Sequence, residues 1–141
     1  MIVSYAIKLD KDDNDTLLVT CPDIPEVTTF GADKVEAVAN AVDAIEEAIA
    51  ARISDGRDVP APKATARYRA ALSLQAQSKV QLYWELQRAG ITRAELMRRL
   101  GWNRESVDRL FRLDHATRVE QYDAAFQALG FEVGLELRED A

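Results

Sequence analysis

Apolar and polar residues alternate from the start of the chain. Val3, Tyr5, Ile7 and Leu9 fall on one side and Ser4, Ala6 and Lys8 on the other, the period of a strand with one buried face. The polar run Asp10-Lys11-Asp12-Asp13-Asn14-Asp15 follows, and residues 16–21 resume strand character, so the two segments predict a β-hairpin. Pro22-Asp23-Ile24-Pro25 cannot stay in a ladder through both prolines and is expected to bend. Residues 27–30 predict a third strand, ended by Gly31. The period then lengthens. Val35, Val38, Val42, Ile45, Ile49 and Ile53 predict the inward stripe of an amphipathic helix, with Asp33 as its cap and Glu36 at capping-box spacing. Alanines at 37, 39, 41, 44, 48, 50 and 51 raise helix propensity and permit close packing on a sheet. Ser54-Asp55-Gly56 stops the helix. One helix on three strands buries little, so a further strand or a partner is expected. Pro60 and Pro62 predict a stiff, extended linker, and residues 68–74 a short strand with Tyr68, Ala70, Leu72 and Leu74 on one face.

The second half is patterned for helices. Ser78 is expected to cap one that runs through Ala89, with Val80, Tyr83, Trp84 and Leu86 on its apolar side and Gly90 as its stop. Thr92 caps the next, with Glu95 three residues on, and Leu96, Met97 and Leu100 face inward. Gly101 supplies a left-handed turn, and Asn103 caps a third helix whose inward residues are Val107, Leu110 and Phe111. Thr117 is expected to cap a fourth, carrying Val119, Tyr122, Phe126 and Leu129 and ended by Gly130. Phe131, Val133, Leu135 and Leu137 alternate with polar residues and predict a final strand.

Two short capped helices around a glycine turn predict a helix-turn-helix, whose second helix enters the DNA major groove. Asn103, Arg104, Glu105, Ser106 and Arg109 are the polar positions that would point outward there. An arginine can pair with guanine O6/N7 and a glutamate can accept from cytosine N4. Arg112 and Arg118 flank the helix and suit phosphates, as do Thr92 and the backbone N–H groups at the capped helix starts. Each arginine singly also fits a solvated helix face or an i,i+4 pair such as Glu105–Arg109. The caps, the Gly101 turn and the spacing of Leu96, Gly101, Val107 and Leu110 together favour DNA reading.

Charge divides the chain in the same place. The net charge of −6 averages a front of residues 1–62, with 13 acids and 5 bases, and a rear of residues 63–141, with 11 acids and 13 bases. Residues 79–118 hold 9 Lys or Arg against 5 acids, a basic island in an acidic chain. The apolar fraction of 48% is that of a globular protein and speaks against disorder. A lone cysteine, Cys21, and a lone histidine, His115, exclude an internal disulfide and a Cys/His zinc cluster. No catalytic residues and no cofactor are expected. Asp10, Asp12 and Asn14 sit at calcium-loop spacing, but Asp15 holds the glycine position and Cys21 the glutamate position, so a solvated turn is expected instead of a metal site. Met1–Tyr5 lacks the basic and apolar regions of a signal peptide, and no apolar run reaches the roughly 20 residues of a membrane span, so a cytoplasmic protein without membrane contact is expected.

Tyr5–Leu9, the run Cys21-Pro22-Asp23-Ile24-Pro25-Glu26-Val27-Thr28-Thr29-Phe30-Gly31 and the helix around Ala44-Ile45-Glu46-Glu47-Ala48 carry a family resemblance. So do Ala89-Gly90-Ile91, residues 94–101, Val107-Asp108-Arg109-Leu110 and residues 125–130. The chain resembles HicB-family antitoxins of bacterial toxin–antitoxin systems, in the form with a C-terminal helix-turn-helix. Met97 departs from the alanine more usual at its position. The resemblance implies an α+β protein in which residues 1–62 form a partial ribonuclease-H-like β-β-β-α module without nuclease activity. Residues 63–78 would be a linker with a short strand, and residues 79–141 an all-helical Cro/C1-like DNA-binding domain with a C-terminal strand. It further implies a HicA-type mRNA interferase toxin as partner, double-stranded operator DNA, and a homodimer or larger homo-oligomer.

A ribonuclease needs a basic surface for RNA, and an acidic module suits that surface. Asp10, Asp12, Asp13, Asp15, Asp23 and Glu26 are the candidates for the toxin-binding face. The rival readings are a DNA-binding regulator responsive to a small ligand and not paired with a toxin, and a small ribonuclease-H-like hydrolase. The missing carboxylate constellation counts against the hydrolase. Paired half-sites make dimerisation expected, and residues 131–137 are candidates for an intersubunit strand pair.

Overall fold

The hairpin, the third strand and the long helix form where the hydrophobic pattern puts them, and a fourth strand completes the sheet. The computed structural model describes residues 1–140. The chain divides into two compact units, residues 3–73 and residues 1–2 together with the chain from Leu74 onward. No helix among the described residues is long and apolar enough to cross a membrane.

In the first unit β1 (Ser4–Lys11), β2 (Leu17–Thr20), β3 (Thr28–Gly31) and β4 (Tyr68–Ala71) make one antiparallel sheet in the order β3-β2-β1-β4. The strand beyond the expected three is therefore β4, with Ala70 opposite Tyr5 on the central β1. Val3, Tyr5 and Ile7 are buried, as the alternation predicts. Ser4 and Ala6 are buried too, and Arg69 donates to the Ser4 hydroxyl and to its carbonyl. At the hairpin tip Asp12 N–H donates to the Thr16 carbonyl at 2.8 Å, while Asp15 takes a left-handed φ of 61°, which aspartate tolerates. The proline segment makes two successive turns, closed by Ile24 N–H on Cys21 O and Val27 N–H on Ile24 O, and both Ile24 and Val27 turn inward.

Helix α1 (Lys34–Ser54) starts where Asp33 accepts from Glu36 N–H at 2.8 Å. Its buried stripe is Ala37, Ala41, Ile45, Ile49 and Ile53. The expectation of an inward Val35 is corrected, because that side chain is 81% exposed, and Val38 and Val42 are only half-buried. Small side chains at 37 and 41 let the backbone of the helix come down onto the strands. A Cβ on Gly31 would lie 2.3 Å from the Ala37 nitrogen, so only glycine permits this approach. A valine row would hold the helix away.

Residues 55–67 cross back from α1 to β4 and are held down on the way. Tyr5 donates its hydroxyl to the Pro60 carbonyl at 2.7 Å, and the Asp23 carboxylate accepts from the backbone N–H groups of Lys63 and Ala64. Val59 is buried. The proline arm is stiff, but it is bound to the sheet unit and does not bridge two units.

The second unit holds α2 (Leu74–Ala89), α3 (Arg93–Leu100), α4 (Arg104–Arg109) and α5 (Val119–Ala128). Its core includes Val80, Leu82, Leu86, Leu96, Val107, Leu110, Ala125 and Phe126, with Tyr83 edge-on to Phe111 at 6.3 Å. Three expectations are corrected. Helix α2 begins at Leu74, a turn before Ser78, whose hydroxyl donates to the Leu74 carbonyl inside the helix. Arg118, not Thr117, is the cap residue of α5, and it makes no side-chain cap bond because a guanidinium has no acceptor to offer; Thr117 is buried. Residues 131–137 form no strand: Phe131 N–H closes the end of α5 on Phe126 O, and Val133, Leu135 and Leu137 are exposed. A strand needs an edge to pair with, and this unit contains none among the described residues.

The Gly31 approach gives a direct test. Gly31→Ala is expected to destabilise the first unit by about 1–3 kcal/mol, the usual cost of forcing extra volume into a packed contact. Urea unfolding, with amide exchange in β2 and β3 as the local readout, should show an earlier midpoint and faster exchange. An unchanged midpoint would mean that α1 can lift off at no cost.

Candidate nucleic-acid interface and acidic face

Local side-chain chemistry sets the geometry of α3, the turn and α4. The Thr92 hydroxyl accepts from Glu95 N–H at 3.1 Å and starts α3. Gly101, at φ 68° and ψ 26°, ends it by donating to Met97 O at 2.8 Å, a backbone conformation that a side chain would strain. Asn103 Oδ1 then accepts from Ser106 N–H at 2.8 Å and starts α4. Leu96, Val107, Leu110 and Phe111 are buried beneath the pair. Every cap and inward residue predicted for this stretch is in place, except that Met97 and Leu100 are only half-buried.

The outward surface is rich in arginine. Asn103, Arg104 and Glu105 are exposed, Ser106 and Arg109 half-buried, and Arg112 and Arg118 exposed beyond the helix. Most of these cations already have a carboxylate nearby. Arg109 pairs with Glu105, Arg104 reaches Asp108 at 3.8 Å, Arg93 holds the other oxygen of Asp108 at 3.0 Å, and Arg112 lies 3.5 Å from Asp114. On α3, Glu95 is shared by Arg98 and Arg99. Magnitudes decide what this means. A surface pair is worth about 0–1 kcal/mol, whereas a bidentate arginine–guanine contact discriminates by about 1–3 kcal/mol. Arg104 and Arg109 can therefore exchange their present partners for a base or a phosphate.

The six front carboxylates separate into two groups. Asp10, Asp12, Asp13 and Asp15 sit at or beside the tip of the β1–β2 hairpin, where Asp10, Asp13 and Asp15 are exposed and Asp12 is half-buried. Asp23 and Glu26 are also bonded within the fold. Asp23 holds the crossover, and Glu26 makes two bonds to the Arg52 guanidinium, at 2.6 and 2.7 Å. That guanidinium lowers the Glu26 carboxyl from the usual range to about 2. Burial pushes up both the Tyr5 hydroxyl and the Cys21 thiol, so Cys21 is a protonated core residue. No group of three or more His, Cys, Asp or Glu among the described residues is placed to hold a metal.

Sequence reasoning counted Lys79 only as a charge. It is fully buried on α2, and its ammonium donates to the Arg109 carbonyl at 2.6 Å and to Thr117 Oγ1 at 2.7 Å. The available signal was its position on the apolar side of the α2 pattern, immediately before Val80.

Comparison with known proteins covers both units. The family described as "HicB_like antitoxin of bacterial toxin-antitoxin system" matches residues 4–82. An Antitoxin HicB of Pseudomonas fluorescens (strain Pf0-1) is 35% identical over 133 residues, spanning 92% of this chain and 90% of that protein. An Antitoxin HicB of Escherichia coli (strain K12) is 32% identical over 133 residues, spanning 93% and 96%. Antitoxin HicB 2 of Photorhabdus laumondii is 31% identical over 126 residues, spanning 89% and 90%.

The Glu26–Arg52 pair has a pH signature. A carboxyl lowered on folding contributes stability above its ordinary value near 4.5 and loses it as pH falls toward about 2. Because the two side chains keep 39% and 19% of their surface exposed, the contribution is expected to stay below about 1 kcal/mol. Urea midpoints between pH 5 and 2 should fall less steeply in Glu26→Gln than in the unsubstituted chain. Parallel curves would show that the pair carries no net stability.

Proposed function

Because this chain belongs to the HicB-like antitoxin family, we propose that it neutralises a HicA-type toxin by direct binding and represses its own operon as a homodimer or larger assembly. The carrying observation is that similarity to proteins named as antitoxins runs over about nine-tenths of the chain, through the sheet unit and the helical unit alike. The role is that of a binding protein, not an enzyme, acting in the cytoplasm.

The β-β-β-α-β order of the first unit supports its reading as a partial ribonuclease-H-like module. Its hairpin tip, with Asp10, Asp12, Asp13 and Asp15 close together, is the part of the acidic face best suited to meet a cationic ribonuclease. In the second unit, α3, the Gly101 turn and α4 are read as a helix-turn-helix with Asn103, Arg104, Glu105, Ser106 and Arg109 toward base edges. Thr92, Arg112 and Arg118 would take phosphates. Dimerisation would give this reader its second half-site, and residues 131–137 supply an exposed, alternating segment able to pair with its own copy.

Co-expression with the product of the adjacent gene tests the toxin arm, and a promoter-fragment shift assay tests the DNA arm. The two proteins should co-purify and growth should be rescued, with capture lost when Asp10, Asp12, Asp13 and Asp15 are changed to lysine. Arg104→Ala or Arg109→Ala should weaken promoter binding by about 1–3 kcal/mol while toxin capture survives. Failure of the chain to bind the neighbouring product would overturn the toxin reading, and failure to retard the promoter would overturn the repressor reading.

Sedimentation tests the assembly. A chain truncated after Gly130 is expected to sediment as a monomer at concentrations where the full chain is a dimer. Dimerisation that survives the truncation would exclude the 131–137 pairing.

A further inference from the structure

A lysine with no solvent exposure needs a reason, since taking an ammonium out of water is costly unless it is paired or neutralised. Lys79 has no carboxylate within ion-pair distance among the described residues. Its two acceptors are the Arg109 carbonyl, at the C-terminal end of α4, and Thr117 Oγ1, at the far end of the loop that leads to α5. Around it the polar groups are closed into a network. Gln75 bonds the backbone of Thr117 with both ends of its amide, at 2.8 and 3.1 Å, and the Tyr122 hydroxyl bonds Gln75 Oε1. The Tyr122 ring lies 5.8 Å from the ammonium. Charge is therefore stationed under the negative end of α4, where a cation is favoured, and the same amine ties that end to the start of α5.

We propose that Lys79 is the positioning residue of α4, holding the helix at its C-terminal end from inside the unit and coupling DNA binding to retention of an internal proton. This rests on the reading of α4 as the DNA-contacting helix. Its other end is fixed by the Asn103 cap, so with Lys79 in place the short helix is pinned at both ends. Fixed ends present Arg104 and Arg109 in one geometry, which base readout requires.

The groups facing Lys79 are few. From α4 it meets a carbonyl dipole, from the α4–α5 loop Arg112 and Asp114, and from α5 the Tyr122 hydroxyl, which burial keeps protonated up to about 12. Desolvation brings the Lys79 amine down to about 8, with Asp114 opposing the shift and Arg112 adding to it. DNA phosphates brought against the outer side of α4 favour the ammonium, so the complex binds more protons than the free protein. By linkage, affinity must then fall as pH rises through about 8.

The test is a titration of the full chain with a fluorescent duplex carrying the region upstream of its own gene, at fixed salt, from pH 7 to pH 9. The unsubstituted chain is expected to lose several-fold affinity, at most about tenfold per pH unit for one proton. Lys79→Met should bind about tenfold more weakly at pH 7, from loss of charge-assisted bonds, and its affinity should be flat across this range. Thr117→Val keeps the charge and removes one acceptor, so its fall should begin at lower pH; a purely through-space charge effect would leave it where it was. Nitrogen-15 amide spectra of the free proteins supply a readout without DNA, in which residues 103–109 should shift as pH crosses about 8 in the unsubstituted chain only. DNA binding with the same affinity and pH profile in Lys79→Met overturns the proposal alone. Absence of any duplex binding by the unsubstituted chain overturns the DNA reading, and the proposal with it.

Discussion

The closeness of α1 to the sheet governs the first unit. Ala37 meets Gly31 at backbone distance, and from that contact the helix runs across the strands with Ala41, Ile45, Ile49 and Ile53 beneath it. Each isoleucine taken fully out of water contributes about 1.5–3 kcal/mol, so the three of them supply much of what holds the layers together. Burial of this kind has no direction of its own. Direction comes from the Asp33 cap, which fixes where the helix starts, and from the turns at Ile24 and Val27, which deliver β3 at the right place. With those constraints met, the β1–β2 tip and its carboxylates stand on a rigid base.

Much of this was legible from local patterns. The three strands, the length of α1 and the Thr92, Gly101 and Asn103 signals each have a cause within a few residues, and each is realised. What escaped depends on distant parts of the chain. The rotation of α1 could not be read from hydrophobicity, which ranks valine above alanine, because the choice of facing residue depends on Gly31. The start of α2 at Leu74 is not legible locally, because a serine such as Ser78 resembles a cap whether or not it is inside a helix. The alternation of residues 131–137 describes a strand only if an edge exists for it, and the second unit holds no strand among the described residues. In the candidate interface, the helix starts and buried residues of the α3–α4 stretch were legible from caps and spacing. The division of the acids was not, since nothing near Asp23 or Glu26 in sequence announces Ala64 or Arg52 as partners.

Electrostatics follows the same division of labour. Carboxylates engaged by the fold, such as Asp23 and Glu26, accept two or more hydrogen bonds each. Those at the hairpin tip bond mainly within their own turn, as when Asp12 accepts from the Asp13 N–H, and leave their charge to solvent. On the helical unit the cations are paired in weak, exposed bridges, which lowers their mutual repulsion in the free protein without committing them. The acidic hairpin tip and the arginine-rich α3–α4 surface can thus present opposite charge locally, each with its own repulsion reduced.

The Asn40 side chain has a quieter consequence. It leaves the surface of α1 to donate to the carbonyl of Phe30 at 2.7 Å, on a strand only four residues long at the border of the sheet. Open strand borders recruit other polypeptides into ladders that grow without limit. A carbonyl already engaged by an amide is one fewer rung for such growth, and the neighbouring Phe30 ring, 47% exposed, would otherwise reward it. The border of the sheet at β3 is thereby a poorer template for an added strand.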